Sequence, residues 1–333
     1  MKNIKTFEPH PFAEYVRILG RGKKASSSLT QEQAYEAMAM ILSNQVEPEQ
    51  LGAFLMLMRI KEETGEEVAG FVQAANATFS LPSDFPEVHI DWSSYAGKKR
   101  RLPWYMLSCL LLAENGIRVF MHGSSGHTIN RIYTEDLLDL FSIEPADSFS
   151  QAAVDLQQTN FTYVPLAVIS PKLQQLIDLR PLFALRSCIH TIARLLNPTQ
   201  CPYIMQGIFH PGYIDIHRDA ALALQQPNMT LLRGDGGEIE RNPDNPCAVT
   251  RIESDNAFVD EWPALFERRH ITDSELNTQT LLDVWRGEQH EYGEAAVIST
   301  LALALNLIGR ANTPEMATTL ARKLWTNRDK SRY

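Results

Sequence analysis

The chain has 333 residues, of which 44% are hydrophobic and 21% charged, close to the average for folded globular proteins. That length predicts about two domains, and the composition excludes disordered, collagen-like and coiled-coil architectures. The net charge of −9 is unfavourable for nucleic acid, but Asp235 to Glu294 alone holds 15 acids against 5 bases, and the rest of the chain nets +1. The stretch from Lys98 to Arg218 carries 11 bases and 9 acids, so a basic face elsewhere is compatible with the total.

The N-terminal MKNIKTFEPHPF has no apolar core, so no signal peptide is expected. The longest apolar stretch, Met106 to Ala113, is interrupted by Ser108 and is too short to span a bilayer. Cys109, Cys188, Cys201 and Cys247 lie far apart with no CxxC pair. This predicts neither a disulfide scaffold nor a zinc ribbon, and a reducing cytoplasm suits the chain best. Cys109 and Cys188 sit in apolar surroundings and read as core thiols.

Thr30 and Gln33 form a capping-box pattern ahead of a helix over Ala34–Leu42. Val46-Glu47-Pro48 turns the chain into a second helix, Glu49–Ile60, and Thr64-Gly65-Glu66-Glu67 caps a third, Glu67–Asn76. After Pro82–Pro86 the pattern changes to a strand at Val88–Asp91, a loop from Trp92 to Arg101 and an apolar helix over Pro103–Asn115. Gly116–Met121 then reads as a strand ending in the polar loop His122-Gly123-Ser124-Ser125-Gly126, which completes a βαβ unit. Tyr203–Phe209, Met229–Arg233 and Cys247–Ile252 extend the sheet, and Ala295–Ile308 and Pro314–Trp325 close the chain as helices. The expected architecture is α/β: a small all-helical domain over 1–82 with a returning helical segment near 172–198. A larger α/β domain over 83–171 and 199–333 has a central mixed or parallel sheet flanked by helices.

Several motifs lie in one order along this chain. They are Gly20-Arg21-Gly22-Lys23, Leu29-Thr30, Leu51-Gly52-Ala53-Phe54-Leu55-Met56, Arg59-Ile60-Lys61-Glu62-Glu63-Thr64, Met121-His122-Gly123, Phe161–Pro165, Arg180, Arg186 and Leu195-Leu196-Asn197-Pro198. With them the sequence resembles anthranilate phosphoribosyltransferase over nearly its whole length. The resemblance implies an α domain beside an α/β domain and a homodimer built through the helical domain.

The departures from that family carry the functional reading. Its diphosphate loop, Gly-Thr-Gly-Gly-Asp, lets backbone N–H groups approach phosphates. The matching stretch here is Ser93-Ser94-Tyr95-Ala96-Gly97, with one glycine left, followed by Lys98-Lys99-Arg100-Arg101. Lys-His-Gly-Asn-Arg becomes Met121-His122-Gly123-Ser124-Ser125, and the adjacent Asp-Glu that holds magnesium becomes Glu238-Ile239. Transfer of a phosphoribosyl group requires the departing diphosphate to be neutralised, so the activity is expected to be absent. The sequence resembles most the YbiB-type branch, which keeps the fold and binds nucleic acid without evident sequence preference.

The resemblance therefore implies a homodimer that binds DNA or RNA independently of sequence, with no cofactor. The nucleic-acid-binding candidates are Lys98, Lys99, Arg100, Arg101, Arg180, Arg186 and Arg194. Trp92, Tyr95 and Trp104 are placed to stack on bases. The same tract is compatible with a solvated loop whose aromatics pack in the core. Arg180 and Arg194 would form a basic stripe if one helix carried both. Ser93, Ser94, Gly97, His122, Gly123, Ser124, Asp235 and Glu238 then mark a degenerate phosphoribosyl-diphosphate cleft. Asp235 and Glu238 could hold a cation weakly, whereas His190, His210 and His217 lack metal-ligand spacing. Two other classes stay open. One is a phosphoribosyltransferase using Mg2+ and an aromatic acceptor; the other is a relict fold binding a phosphorylated metabolite through His122, Ser124 and Arg180.

Overall fold

A computed structural model describes residues 8–22, 24–271 and 275–333. Residues 1–7 of the segment read against a signal peptide, and Lys23 of the GRGK motif, lie outside the described residues. Four helices open the chain: α1 (Ala13–Gly20), α2 (Gln31–Leu42), α3 (Pro48–Lys61) and α4 (Gly65–Asn76). The expected caps set two of the starts. Thr30 Oγ1 accepts the Gln33 N–H at 3.2 Å while Gln33 Oε1 accepts the Thr30 N–H at 3.1 Å. Thr64 and Glu67 repeat the arrangement at α4. Buried Glu67 also accepts from the Leu29 N–H and from Lys61 Nζ, tying the start of α2 to the end of α3.

The chain continues through β1 (Ile90–Ser94), α5 (Tyr105–Glu114), β2 (Val119–Gly123), α6 (Phe149–Thr159) and β3 (Phe161–Pro165). Four short helices follow: α7 (Leu166–Ile169), α8 (Pro171–Ile177), α9 (Arg180–Phe183) and α10 (Ile189–Leu195). Next come β4 (Tyr203–Ile208), α11 (Gly212–Ala223), β5 (Asn228–Arg233), β6 (Cys247–Glu253) and β7 (Asn256–Trp262). The last helices are α12 (Gln279–Arg286), α13 (Glu291–Leu307) and α14 (Pro314–Asn327). The sheet runs β3-β2-β1-β4-β5-β6-β7, with the first five strands parallel and β6 and β7 antiparallel. It is a mixed sheet flanked by helices.

Side chains alternate between the two faces, as the strand period of two requires. Val119 and Met121 join the core under α5 and α13, while Phe120 joins the core shared with α4, α8 and α10. Among the described residues, no helix is long and apolar enough to cross a membrane.

Three details differ from the sequence expectation. First, β1 does not stop at Asp91. Trp92, Ser93 and Ser94 continue in parallel register with Met121, His122 and Gly123, because β2 runs alongside as far as Gly123, while pairing with β4 ends at Trp92. Second, β7 has no apolar run to announce it. It is an edge strand whose Val259 is 60% exposed, and an edge buries too little to need a hydrophobic sequence. Third, Arg180 and Arg194 do not share a helix. α9 ends at Phe183, capped by Ala184 with a left-handed φ of 54°, and α10 starts only at Ile189.

Candidate functional site

Ligands of open α/β sheets bind at the carboxyl ends of the strands. There β1 passes into Tyr95-Ala96-Gly97. The N–H groups of Ala96 and Gly97 both meet Glu238 Oε1 at 2.6 Å, and Ser94 Oγ donates to Oε2 at 2.9 Å. Successive amides aimed at one point form an anion-binding nest. Here the anion is the chain's own carboxylate.

The loop is held shut from every side. Arg131 Nη1 donates to the carbonyls of Ala96, Gly97 and Gly236 at 2.8, 2.9 and 3.2 Å. A Cβ on Gly236 would lie 2.6 Å from the Gly97 carbonyl oxygen, so the two loops touch backbone to backbone. Lys98 and Ile132 exchange backbone hydrogen bonds at 2.8 Å. His122, expected in the cleft, is fully buried between Tyr95 Oη at 2.7 Å and Asp91 Oδ1 at 3.1 Å. Ser93 and Ser124 are buried too, and their hydroxyls have no partner among the described residues.

The magnesium site implied by the resemblance does not fit these residues. Both oxygens of Glu238 already accept hydrogen bonds, Ile239 is fully buried, and Asp235 Oδ2 faces Lys98 Nζ at 3.4 Å. The described residues hold no group of three or more His, Cys, Asp or Glu able to bind a metal.

The basic tract is only half a surface feature, which corrects the expectation for Lys98 and Arg101. Lys98 is 1% exposed, with Nζ 2.6 Å from Glu240 Oε1. Burial raises the Glu240 carboxyl pKa and Lys98 opposes that shift. Arg101 is buried against Asp244 at 3.4 Å, with its guanidinium 3.6 Å from the centre of the Tyr292 ring. Lys99 and Arg100 are exposed. Trp92, Tyr95 and Trp104 are all buried, so their rings are closed to a base. The acids that bind Lys98 and Arg101 come from the start of the acidic segment, residues 235–244.

Beside the closed loop lies an open cavity of about 380 Å³. Arg59 from α3, Arg131 after β2, Arg180, Arg186, and Arg194 from α10 line it, and no Asp or Glu does among the described residues. None of these five arginines is ion-paired to any described residue. Arg180 Nη1 donates to the His127 carbonyl and to Thr128 Oγ1. Arg186 reaches Thr128 Oγ1 at 3.3 Å and Arg59 reaches Tyr213 Oη at 3.4 Å. The Arg194 guanidinium has no hydrogen-bond partner among the described residues, although the Glu238 charge acts on it.

The clustering and the burial together shift the pKa values of these groups. Burial, then the neighbouring Arg194, Arg131 and Arg180, bring the Arg186 guanidinium down from 12.5 to about 10. Burial lowers Arg194 as well, with Glu238 opposing and Arg131 adding to the shift. His190 and His217 form part of the lining and are 7% and 0% exposed. Burial holds both neutral, His217 down to about 3. Burial and the arginines depress His127 to about 4. Like charges in a partly desolvated space oppose one another, and a bound anion relieves them. The cavity therefore has the charge and the donors that suit an anion.

The structure thus gathers Arg180, Arg186 and Arg194 into one place and separates them from Lys98, Lys99, Arg100 and Arg101. Sequence reasoning missed Arg131 as a site residue and read Arg59 only as part of a motif. A lone arginine shortly after the polar loop that ends β2 was the available signal for Arg131.

Comparison with known proteins gives this geometry a lineage. Residues 13–78 match the helical bundle domain of the glycosyl transferase family. The chain is 28% identical over 273 residues to the uncharacterized protein YbiB of Escherichia coli, covering 80% of this chain and 83% of YbiB. It is 24% identical to an anthranilate phosphoribosyltransferase of Streptococcus thermophilus, over 89% of this chain and 91% of that one. The solved anthranilate phosphoribosyltransferase of Saccharomyces cerevisiae, in complex with PRPP and Mg, superposes with a TM-score of 0.77 at 14% identity, covering 95% of this chain and 93% of that one. Over most of its length the chain is thus similar both to anthranilate phosphoribosyltransferases and to YbiB, and it shares the fold of the former.

Proposed function

We propose that this chain is a nucleic-acid-binding protein that engages DNA or RNA through phosphate, independently of sequence, and that it is not a phosphoribosyltransferase. The observation that carries the proposal is the contrast at the carboxyl edge of the sheet. The nest that would cradle a diphosphate is filled by Glu238, while five arginines beside it face a cavity that no Asp or Glu lines among the described residues. Arginine is the side chain best suited to phosphate, because its planar fork donates two parallel hydrogen bonds to one group. Exposed Lys99 and Arg100 supply further phosphate contacts on the surface. The unit we propose is a cytoplasmic homodimer formed through the helical elements, where Ile60 of α3 is 84% exposed.

Fluorescence anisotropy with labelled oligonucleotides over a salt series tests the reading. Affinity should fall linearly in a log–log plot against salt, with similar slopes for unrelated sequences. The double variant R180Q/R186Q should lose roughly thirtyfold in affinity for each guanidinium removed, corresponding to about 2 kcal/mol apiece. Salt-independent binding, or an unaffected double variant, contradicts the proposal. The transferase alternative rests on the family resemblance alone. It requires Glu238 to leave the nest, and turnover of phosphoribosyl diphosphate with anthranilate and Mg2+ would establish it.

A further inference from the structure

The arginine cavity has a floor and a mouth of different chemistry. His217, Thr191 and His190 are buried, whereas Leu185 and Phe209 on the rim are 49% and 42% exposed. The floor histidines have defined tautomers. Gln206 Nε2 donates to the Arg194 carbonyl, which turns Gln206 Oε1 toward His217 Nδ1 at 2.8 Å, so Nδ1 carries the proton. His190 Nδ1 likewise donates to the Ser187 carbonyl at 3.3 Å. Each ring is neutral and therefore presents Nε2 as an acceptor, and both Nε2 atoms are buried without a partner among the described residues. The cavity thus combines cationic donors with two acceptors that need a donor.

A phosphodiester inside a strand satisfies only half of that. It offers one negative charge, no proton to give, and two chain continuations that must both leave through the mouth. A terminal phosphomonoester carries a charge of about −1.5 to −2 at neutral pH and three acceptor oxygens. In its monoanionic form it also carries a P–OH, the terminal sugar can carry a hydroxyl, and only one chain continuation has to exit. A volume of about 380 Å³ lies near the lower end of small-ligand pockets, which suits one nucleotide. Phe209, packed edge-on against His210 at 4.8 Å, stands at the mouth, where a base could stack.

We infer that the cavity seats the phosphorylated end of a nucleic-acid strand, with the phosphomonoester on the arginines and the terminal nucleotide inside. This rests on the nucleic-acid reading above and specifies which part of the strand enters. The test compares oligothymidylates of one length in four forms: 5′-phosphorylated, 3′-phosphorylated, unphosphorylated and covalently circular. One phosphorylated form should bind at least about tenfold tighter than the unphosphorylated and circular forms, because it adds charge-assisted hydrogen bonds. The variant R186Q should erase that difference, with thermal unfolding confirming that it folds.

Equal binding of all four forms overturns the end-seating inference and leaves the nucleic-acid reading standing. No binding by any form overturns both. Thymidine monophosphate competing as well as the phosphorylated strand overturns the strand-end inference in favour of a free nucleotide.

Discussion

The loop after β1 and the arginine cavity lie side by side, share Arg131 and Gly236, and treat charge in opposite ways. In the loop every strong donor meets an acid of the chain: the Ala96 and Gly97 amides meet Glu238, Lys98 meets Glu240, and Arg101 beyond it meets Asp244. In the cavity five arginines meet none among the described residues. The loop is a solved electrostatic problem; the cavity is an open one. A run of bases or a phosphate-loop position therefore does not identify an anion site. What identifies it is donor capacity left unmatched in a space that a ligand can enter.

The largest effect that would break this comparison is on stability. K98A strands the Glu240 carboxylate in the core, and should cost about 3–5 kcal/mol in urea denaturation. K99A, at an exposed position one residue away, should stay within about 0.5 kcal/mol. Similar losses for the two would mean that Lys98 is not buried.

A smaller effect should follow from emptying the nest. E238A leaves the Ala96 and Gly97 amides without their acceptor, at a cost of roughly 1–3 kcal/mol. Pyrophosphate should restore part of that loss and raise the melting temperature of E238A more than that of the wild type. If the wild type is stabilised equally, Glu238 does not block the nest.

The third effect is a slope rather than a loss at one pH. The folded protein keeps His127 neutral down to about 4, whereas the unfolded chain takes up the proton near its ordinary 6.5. Between those values the unfolded state binds more protons, so stability falls as the pH falls, and the contribution levels off below about 4. H127Q should flatten the pH dependence of the unfolding free energy in that window by about 1.4 kcal/mol per pH unit. An unchanged slope would show that His127 is not held neutral.

Much of the fold was legible because it is written in short-range patterns. Thr30 with Gln33, and Thr64 with Glu67, are three residues apart and cap helices whatever the rest of the chain does. The β1–α5–β2 unit was visible for the same reason, whereas β7 escaped because an exposed edge imposes no apolar run. At the site, the lost glycines and the missing second acid were legible as departures from a motif. The tract Lys98–Arg101 was read as uniformly basic surface because nothing next to it in the chain shows where its acids lie.

The sequence by itself determined the helix caps, the β1–α5–β2 unit and the loss of the diphosphate-loop glycines. All of these depend on residues within a few positions of one another. Only the tertiary structure decided which cations are spent. Glu238 and Glu240 stand 142 positions from the Ala96 amide and Lys98 that they hold. The order β1-β4-β5 carries residues 235–240 back beside the end of β1. Charge pairing follows distance in space, and the chain crossing that brings Glu240 to Lys98 leaves Arg180, Arg186 and Arg194 facing a cavity without an ion-pair partner among the described residues.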